Sequence, residues 1–171
     1  MRRVRFSAAM SLDGYISGPN GESDWILMDP EIDFAALMVQ FDTVMMGRRT
    51  YELMKQQGGG GGMPGVQVIV ISRTLSPADH PGVTIAADPA ATIAALQAES
   101  GRDIWLFGGG LLLRSLLHLG LVDTVELAVI PVLLGDGTPL LPSPTTLTSL
   151  RLVKHRVYTT TGTVSLEYAV Q

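Results

Sequence analysis

Ile104-Trp105-Leu106-Phe107-Gly108-Gly109-Gly110 is an apolar run that stops on three glycines. It reads as a buried strand followed by a tight turn into a helix. Two other stretches end in the same manner: Val44-Met45-Met46 runs into Gly47-Arg48-Arg49-Thr50, and Val68-Ile69-Val70-Ile71 into Ser72-Arg73-Thr74. Each strand-like run gives way to small, hydroxyl or cationic residues. Brought together, three such ends supply backbone N–H groups, hydroxyls and guanidinium forks, the donors that a bound dinucleotide phosphate requires.

Working outward, residues 3–9 alternate as a strand, and 11–24 hold enough Gly, Pro and Asn to form a loop. Asp29-Pro30-Glu31 predicts a helix start, with Asp29 as N-cap and the helix running to about residue 40. That helix is expected to bury Phe34, Leu37, Met38 and Phe41. A short helix is expected over 48–56, another over 89–100 capped by Asp88, and a third over 109–119 closed by Gly120. Residues 57–65 contain an unbroken glycine row and read as a mobile surface loop, because glycine loses the most backbone entropy on ordering. The order β-α-β-α-β-β-α-β-α favours a mainly parallel sheet with helices on both faces. The last third differs: a strand over 124–132, a turn-rich stretch over 134–144, then 150–158 and 163–170 as an antiparallel hairpin around Thr159-Thr160-Thr161-Gly162. The expectation is one α/β domain over residues 1–171, with a mixed, mostly parallel central sheet and an antiparallel C-terminal edge.

Composition narrows the chemistry. Of 171 residues, 46% are hydrophobic and 16% charged, and the net charge is −4, which gives no support for nucleic acid as partner. The absence of cysteine removes disulfides, thiolate metal sites and thiol nucleophiles. His80, His118 and His155 lack metal-ligand spacing, so no metal is expected. No run is long and apolar enough to cross a bilayer, and the first residues lack the apolar stretch of a secretory leader; the cytoplasm is the expected compartment.

The glycine triplet departs from the Gly-x-Gly-x-x-Gly fingerprint, since Leu stands at 113. The glycine row at 58–62 lacks the Lys-Ser/Thr pair of a P-loop. Ser72 with Arg73 suits a terminal phosphate monoester, the group that distinguishes NADP from NAD. Among acids, Asp13, Asp29, Glu31 and Asp33 are candidates for a proton donor, although Asp29 is better explained as a cap and Asp13 as the shaper of the turn before Gly14.

The order Met-Gly-Arg-x-Thr, then Ser-Arg, then Gly-Gly-Gly resembles the dihydrofolate reductase superfamily over nearly the whole chain. Leu113 stands where folate enzymes usually carry Tyr, and Ser11-Leu12-Asp13-Gly14-Tyr15-Ile16 lacks their Leu-Pro-Trp. Leu121-Val122-Asp123 and the run Pro131-Val132-Leu133-Leu134-Gly135-Asp136-Gly137-Thr138-Pro139-Leu140 look instead like the reductase domain of bacterial riboflavin biosynthesis. The resemblance implies a three-layer fold of that superfamily, NADPH as cofactor, and a homodimer. Carried over by residue, Gly47, Arg48 and Thr50 would hold coenzyme phosphates. Ser72 and Arg73 would face the 2′-phosphate. Phe107, Gly108, Gly109, Gly110 and Leu111 would cradle the pyrophosphate and border the nicotinamide, with a cis bond between Gly108 and Gly109. Ala9 would offer backbone groups to the carboxamide. Folate enzymes carry their acid on the first helix, near Glu31 by count back from Gly47, and Asp13, Glu31 and Asp33 are the acids expected to be catalytic. The implied activity is an NADPH-dependent reductase of a small heterocyclic or carbonyl-type substrate, like the enzyme that reduces a phosphoribosylaminopyrimidinone. Dihydrofolate reduction and a non-catalytic nucleotide-binding role are the alternatives.

Overall fold

Alternation along each central strand sends apolar side chains to both faces. Val44 and Met46 face one way and Met45 the other; Val68 and Val70 are split from Ile69, and Trp105 and Phe107 from Ile104 and Leu106. A strand apolar on both faces needs cover on both, which is the condition of a parallel sheet between helices.

The computed structural model describes residues 1–59, 65–144 and 146–171. Along the chain come β1 (Val4–Ser11), β2 (Tyr15–Ser17), α1 (Phe34–Met38), β3 (Phe41–Gly47), α2 (Arg48–Gln56), β4 (Gln67–Ile71), a 3-10 turn at Pro77–Asp79, β5 (Thr84–Ala86), α3 (Pro89–Ala98), β6 (Asp103–Gly108), α4 (Gly110–His118), β7 (Thr124–Ile130), β8 (Thr138–Pro139), β9 (Leu150–Val157) and β10 (Val164–Val170). Eight strands form one sheet in the order β5-β4-β3-β6-β1-β7-β10-β9. The first six run parallel; β10 pairs antiparallel with both β7 and β9. The fold is the mixed, mostly parallel dihydrofolate reductase-like α/β architecture with an antiparallel C-terminal hairpin that the sequence predicts. The small β2–β8 ribbon is an addition.

Side chains of α1 and α2 pack on the face that carries Val44, Met46, Val68, Val70 and Trp105. Those of α3 and α4 pack on the face of Phe6, Met45, Ile69, Ile104 and Leu106. Leu116 of α4 is fully buried there, so Leu116→Ala is expected to cost ~2–5 kcal/mol. Helix α4 ends in a Schellman motif. Gly120 has φ +66°, its N–H donates to Leu117 O, and Leu121 N–H donates to Leu116 O.

Three details correct the sequence reading. Helix α1 begins four residues later than predicted and has no fully buried residue; Phe34 is nearly half exposed. Its N-cap is Asp33, whose carboxylate accepts from Ala36 N–H, because Asp29 is taken by a distant turn described below. The Gly108–Gly109 bond is trans, and Ser143–Pro144 is the one cis bond among the described residues. Residues 60–64 of the 57–65 stretch expected as a mobile loop lie outside the described residues.

Candidate active site at a strand-end crevice

Parallel strands put all their C-terminal ends on one edge. From β3 the chain crosses to β4 on one side; from β6 it crosses over β1 to β7 on the other. Crossovers of one hand in opposite directions place the two connecting helices on opposite faces, as the two cores show. The chain therefore parts at the β3/β6 boundary, and α2 and α4 start on either side of a crevice. In open α/β sheets such a switch point is where ligands bind.

The two helix starts at this crevice share a feature. The N-caps are Gly47 for α2 and Gly109 for α4, and neither offers a side-chain hydrogen bond. The first N–H groups of each helix, with their partial positive charge, are left for an external acceptor. Away from the crevice, α1 and α3 are closed by Asp33 and Asp88, whose carboxylates accept from first-turn N–H groups.

Ladder register fixes the proximity of the three motifs. Gly47 pairs with Ile71, the residue before Ser72, and Met46 pairs with Gly108. Residues 47–50, 72–73 and 108–110 thus lie on one edge. Thr50 leans across the crevice: a Cβ on Gly109 would sit 3.2 Å from Thr50 Oγ1, and one on Gly108 3.7 Å from Thr50 Cγ2. Gly108 also takes φ +157°. Glycine at both positions keeps the backbone open beside that hydroxyl. Gly110 is packed from behind, since a Cβ there would meet Leu140 O and Pro142 Cδ at 2.7 Å.

Around this centre, Arg48 is exposed and reaches Glu52 Oε1 at 3.3 Å. Ser72 is buried, and its Oγ accepts from Thr74 and Leu75 N–H groups at 3.2 and 3.1 Å, with Thr74 Oγ1 at 3.4 Å. Arg73 follows it on the exposed side. Phe107 is half-buried with its ring edge-on to Trp105, and Leu111 is about half exposed.

Strand β1 completes the crevice. Its pairing with β6 stops at Phe6 and Leu106, whereas its pairing with β7 continues to Ser11 and Ile130. Odd residues of β1 turn their backbone groups toward β6: Arg3 O accepts from Ile104 N–H, while Val4 O accepts from Asp123 N–H on the β7 side. By that alternation the N–H and C=O of Ala9 face β6 beyond the last β1–β6 pair.

The turn after β1 is held by Asp13. Its carboxylate accepts from Ser11 Oγ at 2.6 Å and from the N–H groups of Leu134 and Gly135. Ser11 Oγ and the Gly135 N–H hold Asp13 down at about 2, so it stays ionised at neutral pH. Leu140 N–H donates to Gly14 O, joining the same turn to the loop behind Gly110. Sequence reasoning did not see this wall, although the Gly135-Asp136-Gly137 turn signal was legible.

The remaining acids diverge. Asp33 caps α1, and exposed Glu31 pairs with Arg156 of β9 at 2.6 Å. Asp29 is 1% exposed and accepts from Glu31 N–H and from Thr161 N–H and Oγ1. Its carboxyl is held below the usual range, first by the Glu31 N–H and then by Thr161 against the penalty of burial. It therefore staples the loop before α1 to the tip of the β9–β10 hairpin, 132 residues away in sequence.

The donors fit a coenzyme carrying a pyrophosphate and a further phosphate: two uncapped helix starts, a hydroxyl beside a glycine cradle, and a Ser-Arg pair at the neighbouring strand end. Fold and crevice together define a reductase-like α/β domain. The chain belongs to the RibD C-terminal domain family, which matches residues 2–164. It is 33% identical over 178 residues to the uncharacterized protein YyaP of Bacillus subtilis (strain 168), across 98% of this chain and 94% of that one. It is 32% identical over 155 residues to YwjB of the same organism, across 88% and 89%. Among solved structures it superposes on a Shewanella sp. PV-4 protein provisionally assigned to riboflavin biosynthesis, with TM-score 0.83, 28% identity and 100% and 99% coverage. A Thermotoga maritima diaminohydroxyphosphoribosylaminopyrimidine deaminase/5-amino-6-(5-phosphoribosylamino)uracil reductase shares the fold, with TM-score 0.71, 16% identity, and 99% and 57% coverage.

Proposed function

We propose that the protein is an NADPH-dependent reductase that reduces a small heterocyclic or carbonyl-type substrate. The observation that carries this is the convergence of two glycine-capped helix starts on the β3/β6 crevice, flanked by Ser72 and Arg73 at the adjacent strand end. The N–H groups at the starts of α2 and α4, with Thr50 and Arg48, would hold the pyrophosphate. Arg73 and the Ser72 hydroxyl would hold the 2′-phosphate. The backbone of Ala9 would orient the nicotinamide amide. When bound, the coenzyme supplies a hydride. The protein's own share is placement and exclusion of water, which the wall from Asp13 to Leu140 provides on one side. Asp13, ionised and fully engaged, is a positioning residue here. Of the other two acids named from sequence, Glu31 is paired with Arg156 and Asp33 caps α1.

We also propose a homodimer through the C-terminal hairpin. Every residue of β9 is exposed, including Leu150, Leu152, Val153 and Val157, and β10 is half-buried throughout. Twice the monomer mass in solution at micromolar concentration is the expected result.

The activity is tested by following NADPH consumption across a panel of pteridines, aminopyrimidines and ring carbonyl compounds. Turnover on one class supports the reading. Binding of NADPH without turnover on any member favours a nucleotide-sensing protein instead.

A further inference from the structure

Charge is divided across the rim of the crevice. The β3 and β4 side carries Arg48, Arg49 and Arg73. The β1 and β7 side is built from residues 11–33, 131–149 and the hairpin tip, and its balance is opposite. Residues 11–33 hold six carboxylates (Asp13, Glu22, Asp24, Asp29, Glu31 and Asp33) and no Lys or Arg; residues 131–149 hold Asp136 and no base. Arg114 of α4 donates to Ser143 O and Pro144 O at 3.3 Å, and Arg156 stands near the tip. The Arg156 guanidinium is paired with Glu31 at 2.6 Å and lies 4.6 Å over the Tyr158 ring.

The hydrogen bonds above hold these segments together: Leu12 N–H donates to Val132 O, Asp13 binds Leu134 and Gly135, and Asp29 binds Thr161. A Cβ on Gly162 would touch Pro131 at 3.3 Å, so the hairpin tip rests on the same wall. Apolar side chains stand out from it: Leu12, Leu27, Met28 and Leu133 are 58–73% exposed. A phosphate dianion placed here would meet the exposed, ionised carboxylate of Asp13 and no Lys or Arg from residues 11–33 or 131–149. A flat uncharged ring would meet apolar surface.

We propose that the substrate accepting the hydride at this crevice is an uncharged ring compound without a phosphate group. The proposal rests on the reductase reading. In the step, an electrophilic ring or carbonyl carbon takes the hydride, its π-electron pair moves to the attached nitrogen or oxygen, and that atom takes a proton from water. The nicotinamide is oxidised as the substrate is reduced. The same electrostatics separate this chain from a reductase of phosphoribosylated pyrimidines.

The test is a calorimetric titration of the NADPH-loaded protein with a matched pair, 5-amino-6-ribosylaminouracil and its 5′-phosphate. The unphosphorylated member is expected to bind at least ten-fold tighter, with the gap narrowing as salt is raised. Glu31→Gln, which releases Arg156, is expected to improve binding of the phosphate several-fold and to leave the neutral member unchanged. Ribose 5-phosphate alone is expected to leave the Leu12, Leu27 and Leu133 methyl resonances unshifted. Equal or tighter binding of the 5′-phosphate, or shifts of those methyls with ribose 5-phosphate, overturns the proposal and leaves the coenzyme reading standing. Failure of NADPH to bind in the loading step overturns both.

Discussion

Four helices start on this sheet, and they start in two ways. Helices α1 and α3 open on Asp33 and Asp88, each bonded to its own first turn. Helices α2 and α4 open on Gly47 and Gly109, with nothing from the side chain to close them. A carboxylate cap contributes about 1 kcal/mol, and replacing it with glycine costs only a few tenths. The chain therefore forgoes little stability at α2 and α4, and what it leaves open is a pair of positive helix ends at the strand-order switch. The capped pair serves the fold; on the proposed reading the uncapped pair serves a ligand.

The contrast can be broken most sharply at Gly47. Its φ and ψ of −80° and 161° suit any residue, and a Cβ there would only reach Leu112 Cβ at 4.0 Å. Gly47→Asp should therefore fold normally and supply α2 with its own anion. NADPH affinity measured by titration is expected to fall about 100-fold, with thermal stability unchanged or slightly raised. Arg73→Ala probes the neighbouring strand end. The ratio of NADPH to NADH affinity is expected to fall about ten-fold, the scale of one charge-assisted hydrogen bond. Asp88→Ala makes the reciprocal change on the capped side. Denaturant unfolding should show a loss of about 1 kcal/mol, and NADPH affinity should stay at the wild-type value.

Asp13→Asn asks whether the crevice depends on a carboxylate outside the helices. The folded-state pKa of Asp13 is depressed to about 2. Its contribution is present above the unfolded carboxyl pKa, near 3.9, and is lost as pH falls from there toward 2. The variant should be less stable than wild type at pH 6, the difference should vanish in acid, and the pH–rate profile between pH 5 and 8 should show no inflection from this group.

Much of the fold was legible because its signals are local. Val44 to Gly47, Val68 to Ile71 and Ile104 to Gly108 announce buried strands by composition, and α3 announces itself by its cap, Asp88. The register that brings Gly47, Ser72 and Gly108 to one edge was reached through the order of motifs. What was not legible depends on contacts far apart in sequence. Asp29-Pro30-Glu31 has the form of a helix start, yet Thr161 claims Asp29 and the helix waits for Asp33. Asp13 reads as a turn residue, and its bonds to Leu134 and Gly135 span more than a hundred residues. The β2–β8 ribbon, two or three residues a side, leaves too short a pattern to detect. The candidate acids were the hardest to read, because a carboxylate's role is set by what it touches.

The central claim is that the crevice between the two glycine-capped helices grips an anionic coenzyme. Its most direct test is an NMR titration of backbone amides with NADPH. The largest shifts are expected at Gly47 to Thr50, Ser72 and Arg73, and Gly109 to Leu111, with Ala36 and Ala90 at the capped helix starts unmoved. Shifts that spare the glycine-capped starts, or no shifts at millimolar NADPH, would contradict the account.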